Sequence, residues 1–221
     1  MIRWAAGILV MLLIAGCGGV PFKKVDYVSL DGVEPLAMVN NYEKRLPEHF
    51  QLLNTVLFKY GWNKFSTIGY IDINIRAKTF AVASMNPMGL KLFELAGNNE
   101  SVDTMFMMEE FGERGDVAGA VGKDIRRIYF NLVPSSTAEI KKKQYQALFR
   151  QQAGSGSLVY VFAGAEGYLI EKKYYEDNKL DWRISYYEYR QKDGKIYPGG
   201  IVLKNYKYGY SLTLKLKEIK G

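Results

Sequence analysis

Strict alternation of apolar and polar residues is the feature of this sequence that most restricts its fold. From residue 206 to residue 216 every second residue is apolar, and Ile71, Ile73 and Ile75 alternate with polar residues in the same way. Successive side chains of a β-strand point to opposite faces, so a period of two predicts strands with one dry face. The later run predicts one long strand over residues 203–217. That strand would span roughly 40 Å and bend at Gly209.

Shorter runs of the same kind predict a meander of antiparallel strands. Asn-Pro, Asn-Asn and glycine-rich segments separate them, and such residues favour turns. The sheet that contains a strand as long as the last one must be large and curved. The shorter runs cover residues 79–85, 88–95, 102–108, 158–163, 168–174 and 182–190.

The period changes in the middle of the chain. Between residues 117 and 132 apolar residues such as Val121, Ile125 and Ile128 recur at intervals of three and four, which predicts a helix. Ser136 and Glu139 match a capping box and predict a second helix that ends near residue 151. Residues 50–60 fit a helix or a strand equally well, so the pattern alone leaves both open.

The first 16 residues have the layout of a secretory signal, with Arg3 before an uncharged apolar run. That run is shorter than the roughly 20 residues of a membrane-spanning helix. Ile14-Ala15-Gly16-Cys17 resembles the lipobox of bacterial lipoproteins. The resemblance implies that residues 1–16 are a signal peptide and that Cys17 carries the lipid. Gly18, in place of an inner-membrane retention aspartate, favours the outer membrane.

Composition narrows the classes of site and partner. Cys17 is the only cysteine, so the sequence offers neither a disulfide nor a cysteine-based metal site. The formal charge of +7 includes Arg3, which leaves +6 on residues 17–221. Scattered lysines either attract anionic lipid head groups or keep the protein soluble, and an exported protein is not expected to bind nucleic acid. We expect a tether and irregular lead-in over residues 17–40 and one domain over residues 41–221.

The sequence has no recognisable catalytic constellation. His49 is the sole histidine, there is no G-x-S-x-G elbow, and residues 115–124 lack the glycine and hydroxyl positions of a phosphate loop. Glu109 and Glu110 are adjacent and would point to opposite faces of a strand. We therefore predict a protein that is not an enzyme and that has no cofactor. A hydrolase built from carboxylates distant in sequence is a remote alternative.

A group of methionines lies within two neighbouring predicted turns and strands. Methionine is flexible and polarisable, so two explanations fit: it fills gaps in a core, or it lines a cavity for acyl or polyene chains. Tyrosines such as Tyr208 in the last predicted strand allow the same two explanations. The grouped methionines are Met85, Met88, Met105, Met107 and Met108.

Three segments carry a resemblance to a known family. They read N-P-M-G-L-K-L-F-E-L at residues 86–95, D-I-R-R-I-Y at 124–129 and G-I-V-L-K-N-Y-K-Y-G-Y-S-L-T at 200–213. With the lipobox, the meander, the helices and the final strand, they resemble the LolA and LolB superfamily of outer-membrane lipoprotein carriers. They are most similar to an uncharacterised LolB-like lipoprotein family. The resemblance covers about residue 40 to the end.

The resemblance implies a mainly β fold with some α-helix. Its curved antiparallel sheet is an incomplete β-barrel that central helices close over an apolar cavity for acyl chains. It also favours a strand over residues 50–60. The residues that we expect to line the cavity are Ile71, Ile73, Ile75, Met85, Met88, Met105, Met107, Ile125, Tyr208, Leu212 and Leu214.

We therefore predict a lipoprotein that is anchored to the outer membrane, faces the periplasm, and binds or transfers a lipid. The lipid would be an acyl chain, a lipoprotein or a polyene-type lipid, with a periplasmic carrier protein as a candidate partner. The alternative is an assembly or structural lipoprotein that binds a protein partner. A cavity on the order of several hundred Å³ favours the first function, and a packed interior favours the second.

The lipobox yields a direct test. When the full chain is expressed in a Gram-negative host with radiolabelled palmitate, we expect label on the wild-type protein and none on Cys17→Ser. The variant should also leave the membrane fraction, because a lipid chain contributes about 0.8 kcal/mol of membrane binding per buried methylene. Equal labelling of the two proteins would show that the lipid is not on Cys17.

Overall fold

The computed structural model describes residues 21–113 and 115–220. The predicted signal peptide, Cys17 and the start of the tether lie outside these residues. None of the described helices is long and apolar enough to cross a membrane. In chain order the elements are α1 (Pro35–Arg45), β1 (His49–Tyr60), β2 (Asn63–Asn74), β3 (Thr79–Met85), β4 (Lys91–Gly97), β5 (Val102–Met107), α2 (Glu109–Gly112), α3 (Val117–Tyr129), β6 (Glu139–Lys143), β7 (Gln146–Ala153), β8 (Gly156–Ala163), β9 (Tyr168–Glu176), β10 (Lys179–Tyr187), β11 (Arg190–Lys192), β12 (Lys195–Tyr197), β13 (Gly200–Asn205) and β14 (Tyr210–Lys220).

Twelve strands form one antiparallel sheet, and β11 and β12 form a separate hairpin. The strand order is β5-β4-β3-β2-β1-β14-β13-β10-β9-β8-β7-β6. We call β1 to β5 the first half of the sheet and β6 to β10 the second half, with β13 and β14 joining them. The edge strands β5 and β6 do not pair with each other, so the sheet is not closed into a barrel. The predicted open antiparallel sheet is confirmed.

One face of this sheet packs around helices α1 and α3. Ile73 of the first half, Phe149 and Ile184 of the second half, and Tyr42 and Ile128 of the helices belong to a single core cluster. Because residues from both halves share one core with the same helices, the sheet curves around them. We call this inner side the concave face.

Helix α1 was not predicted from the sequence, and it spans the boundary that we expected between residues 40 and 41. Pro35 occupies its first turn, where the missing N–H costs nothing, and the Glu34 carboxylate accepts from the backbone N–H of Leu36. Its apolar side, which includes Met38 and Tyr42, is buried. The prolines and glycines before residue 36 predicted an irregular segment. The apolar positions of a short helix follow them directly and were not recognised.

The predicted helix over residues 117–132 is confirmed as α3, which ends at Tyr129. Asp116 caps it, and the Asp116 carboxylate accepts from the backbone N–H of Gly119 at 2.8 Å. Arg126 and Arg127 lie in its last turn, where positive charge is favourable.

The second predicted helix, over residues 136–151, is wrong. Its residues form the edge strand β6 and the strand β7. Ala147 and Phe149, two positions apart, are buried, and the Phe149 ring meets Phe162 edge-on at 5.6 Å. The capping pattern involves only neighbouring residues. Strand β7 pairs with β8 along its whole length, and these hydrogen bonds stabilise the strand more than the capping pattern stabilises a helix.

The single long strand over residues 203–217 is also wrong. Four turn residues after Asn205 divide it into the hairpin of β13 and β14. The Asn205 side chain accepts from the backbone N–H of Tyr208 at 3.0 Å, and Gly209 closes the turn at a φ of 68°. Tyrosines inside the turn prolonged the apparent alternation. Residues 50–60 form a strand, as the resemblance implied.

The segment before α1 crosses the outer face of the sheet. The Phe22 ring stacks on Tyr187 with centroids 5.6 Å apart, and the backbone N–H of Lys23 donates to the Glu188 carboxylate at 2.8 Å. Gly200 permits this contact, because a Cβ there would lie 2.5 Å from the Phe22 ring. The chain is therefore fixed to the domain from Phe22 onward.

Gly200→Ala tests that contact. We expect the added methyl group to displace Phe22 and to lower the free energy of unfolding by about 1–3 kcal/mol. Urea denaturation followed by tryptophan fluorescence measures it. The penalty should shrink in a Phe22→Ala background, because the two residues are in contact. Gly112→Ala is the control, since nothing lies within 4 Å of its added Cβ. Equal losses in the two single glycine variants would contradict the contact.

Candidate functional site

Helix α3 bridges the two halves of the sheet across the concave face. A Cβ on Gly122 would lie 2.3 Å from a methyl carbon of Val102, so the helix touches the edge strand β5. The Arg126 guanidinium donates to the backbone carbonyls of Asn98 and Ser101, both at 2.7 Å, in the turn before that strand. The other end of the helix is held by the second half of the sheet.

Side chains of the second half hold the carbonyl groups at the end of α3. Lys172 Nζ donates to the carbonyls of Arg127 and Phe130, both at 2.8 Å. The Tyr186 hydroxyl donates to the carbonyl of Ile128 at 2.8 Å. A helix end leaves its last carbonyls without internal partners, and these donors supply them. The end of α3 is therefore fixed on the concave face.

Lys172 is fully buried, and this burial lowers the pKa of its amine to about 7. A neutral amine still has two N–H donors, which suffices for the two carbonyls that it contacts. The amine thus retains its hydrogen bonds when it loses its charge. The Tyr160 hydroxyl adds a further bond to the carbonyl of Asn131 at 3.1 Å.

A buried carboxylate joins the middle of α3 to β14. The Tyr210 hydroxyl lies 2.9 and 2.7 Å from the two carboxylate oxygens of Asp124, and Arg127 lies 3.0 Å from one of them. Burial raises the pKa of Asp124, while the bond from Tyr210 and the charge of Arg127 oppose that rise. These partners account for a charged residue on the apolar side of the helix.

The interior between the helices and the sheet is packed with large side chains, and Tyr42, Ile73 and Phe149 among them are fully buried. A small apolar recess lies where the ends of α1 and α3 meet the β11–β12 hairpin, and its volume is about 20 Å³. That is close to the space of one water molecule and far below the several hundred Å³ expected of a cavity for acyl chains. This recess therefore has no room for a lipid chain.

The structure divides the predicted cavity residues between the core and the surface. Ile71, Ile73, Ile125 and Leu214 are buried in the common core, with Ile75 and Leu212 packed beside them. Met85 and Met107 are half-buried near the ends of their strands. Met88, Met105 and Tyr208 lie outside the interior, with 89, 67 and 61% of their surface exposed. Met88 and Tyr208 fall in turns, and Met105 lies on the edge strand β5.

The exposed members belong to a larger apolar surface at one end of the sheet. It contains the tip of the β1–β2 hairpin, where Trp62 is completely exposed, and the turns that follow β3 and β13. Lys59 and Lys64 pair across the hairpin just behind Trp62. We call this surface the apolar rim; its residues are Tyr60, Trp62, Phe65, Met88, Leu90, Met105, Phe106, Tyr206 and Tyr208.

A wider, polar groove of about 640 Å³ lies at the ends of β7, β8 and β9. Its lining includes Arg150, Gln152, Ser157 and Tyr175, and it is broadly open to solvent. Within residues 21–113 and 115–220, no three acidic, histidine or cysteine side chains come together as metal ligands. The groove suits water and polar groups, and it is unsuited to an acyl chain.

Comparison with solved structures identifies the architecture. A LolA superfamily protein from Nitrosomonas europaea superimposes with a TM-score of 0.56 at 8% identity, covering 85% of this chain and 93% of that one. The chain has a LolA-like fold. A second match, an outer membrane lipoprotein-sorting protein domain from Vibrio parahaemolyticus, gives a TM-score of 0.53 at 9% identity and covers 84% of this chain and 91% of that one. No protein-family model and no curated protein matches the sequence.

The polar contacts that hold α3 in this LolA-like fold were not predicted. One signal was available for Asp124, which lies three residues after Val121 and four before Ile128 on the apolar side of the predicted helix. Lys172 lies two residues after Ile170, but a β-bulge at Ile170 puts that side chain on the outer face, so alternation alone does not indicate that Lys172 is buried on the concave face. A charged residue at a core position predicts a buried partner.

Lys172 should give the folded protein a distinct pH dependence. The unfolded chain keeps the lysine proton up to about pH 10, whereas the folded chain releases it near pH 7. Stability should therefore rise between these values, by about 1.4 kcal/mol per pH unit at most. Lys172→Met should abolish the rise, so that the variant is about 2 kcal/mol less stable at pH 9 and nearer to wild type at pH 7. Urea denaturation of the two proteins between pH 7 and 9 measures their free energies of unfolding. If these free energies change with pH in parallel in the two proteins, the amine of Lys172 is not buried as described.

Proposed function

We propose that this chain is a non-enzymatic, lipid-binding lipoprotein of the cell envelope. In this proposal Cys17 anchors it to the outer membrane on the periplasmic side. It binds or transfers an acyl-chain lipid between α3 and the concave face of the sheet. The observation that carries the proposal is the bridge: one helix covers the apolar side of an open sheet and touches both halves of it. The LolA superfamily and lipoprotein-sorting neighbours support the same reading.

Binding requires α3 to move, because the interior is packed with side chains and its apolar recess holds only about 20 Å³. The first half of the helix is the part that can move, since its contact with Val102 is apolar while its end is held by buried hydrogen bonds. Exchange of helix for lipid is energetically close to balanced. Removing the apolar side chains of α3 from the sheet costs on the order of 10 kcal/mol, and burying a sixteen-carbon chain returns about as much.

The alternative is an assembly lipoprotein that binds a protein partner, with a periplasmic carrier protein as one candidate. Two observations favour it: the filled interior, and the exposed apolar rim with Trp62 at its tip. Isolated apolar residues are ordinary on protein surfaces, but nine exposed ones gathered at one end of a sheet are typical of an interaction surface.

A disulfide that locks α3 to β5 separates the two functions. In a Cys17→Ser background, the pair Val102→Cys and Gly122→Cys is suitably placed, because the Gly122 Cβ position lies 2.3 Å from a Val102 methyl carbon. The two Cβ atoms would then lie near the roughly 3.8 Å of a typical disulfide. Removing the Val102 methyl groups makes room for the new side chain.

We expect the reduced pair to bind a fluorescent fatty acid and to carry co-purified lipid in native mass spectrometry. The oxidised pair should lose binding at least tenfold, and reductant should restore it. The single variants, under the same oxidant, are the controls. Equal binding by the locked and open forms would refute movement of α3, and no lipid on any form would favour the protein-binding alternative.

A further inference from the structure

The recess at the end of α3 contains an unusual polar group. Tyr129 contributes to its wall, and the hydroxyl of that side chain is buried. Within residues 21–113 and 115–220 it is the only buried side-chain oxygen or nitrogen without a hydrogen-bond partner. By contrast, the hydroxyl of Tyr186, in the wall of the same recess, donates to the carbonyl of Ile128.

A buried hydroxyl without a partner destabilises the folded protein, because it has lost water and gained nothing. Phenylalanine would fill the same space without that cost. Most of the other groups around the recess are apolar, including Leu46, Leu132 and Ile196. The hydroxyls of Tyr42 and Tyr186 in the same wall already have hydrogen-bond partners. The Tyr129 hydroxyl is therefore a buried donor left without a partner in a mostly apolar surrounding, an arrangement that can fix the orientation of a mostly apolar ligand.

From this arrangement we infer that Tyr129 is the polar anchor of the lipid site, donating its hydroxyl proton to the carbonyl oxygen of a bound acyl group. The inference rests on the proposed lipid-binding function and adds the end of the site at which the head of the chain lies. An ester, an amide and a free acid all present that oxygen. Burial raises the pKa of Tyr129, so its hydroxyl keeps the proton that it donates.

The recess can widen without breaking the large sheet. One of its walls is the β11–β12 hairpin, which belongs to a separate two-stranded sheet. Lys195 Nζ of that hairpin donates to the carbonyl of Lys44 at the end of α1, at 3.0 Å, and Tyr197 meets Phe50 edge-on with centroids 5.8 Å apart. Displacement of the hairpin breaks these contacts, the hydrogen bond from Lys192 Nζ to the carbonyl of Ile219 at 3.1 Å and the packing of Ile196 in the core. It leaves the strand order of the twelve-stranded sheet intact.

The test compares Tyr129→Phe with wild type, using two pyrene-labelled probes of equal length: a fatty-acid methyl ester and an alkane without a carbonyl. We expect the variant to bind the ester about three- to tenfold more weakly, which is the worth of one hydrogen bond. Its affinity for the alkane should be unchanged. Its free energy of unfolding without ligand should be equal to that of wild type or higher, because the variant removes only an unpartnered hydroxyl.

Tyr186→Phe is the matched control. It removes a hydroxyl from the same recess, but one that already has a partner, so it should lower stability without a loss specific to the ester. Equal ester binding by Tyr129→Phe and wild type would overturn the inference, and so would a loss of stability in Tyr129→Phe. If wild type binds neither probe, the proposed function itself fails.

Discussion

The contact between helix α3 and the concave face holds the rest of this structure together. The sheet is open, and its two edge strands are far apart in the strand order. A sheet of this size keeps its curvature only if something fills the inner side, and α3 fills it from β5 to β9. The helix contributes apolar side chains to the core. The carbonyl groups at its end, which have no partners within the helix, accept hydrogen bonds from side chains of the sheet. Burial and hydrogen bonding therefore fix the same helix at different points along its length.

The difference between these two kinds of contact determines which part of α3 can move. Apolar contacts are non-directional, and another apolar surface can replace them at little cost. Buried hydrogen bonds are directional, and breaking one leaves an unpaired group inside the protein. The first half of α3 is held mainly by apolar contacts, and its end is held by buried hydrogen bonds. A ligand that displaces the helix would thus turn it about its end without releasing it.

Much of the fold was predictable, because strand periodicity reports burial on one face directly. The strands of the meander follow from it, and α3 follows from the spacing of three and four between its apolar residues. The open, incomplete barrel and the strand over residues 50–60 were implied by the resemblance. The errors arose where a local signal competed with distant pairing. Ser136 and Glu139 form a helix-capping pattern, but residues 146–153 pair with strand β8 and therefore belong to the sheet. Tyr206 and Tyr208 continued an alternation that a turn interrupts. The partners of Lys172 and the burial of the Tyr129 hydroxyl without a partner could not be predicted, since both depend on three-dimensional packing between distant segments.

The stacking of Phe22 on the outer face also limits where the domain can be. Four residues lie between Cys17 and Phe22, and the five residue-to-residue steps of a fully extended chain reach about 17 Å. A lipid on Cys17 would therefore keep this patch of the sheet beside the bilayer, free to pivot about its attachment but unable to reach across the periplasm. Under the proposed function, a donor of lipid would then have to come to the membrane surface, because the anchored protein would stay there and would not cross to another membrane.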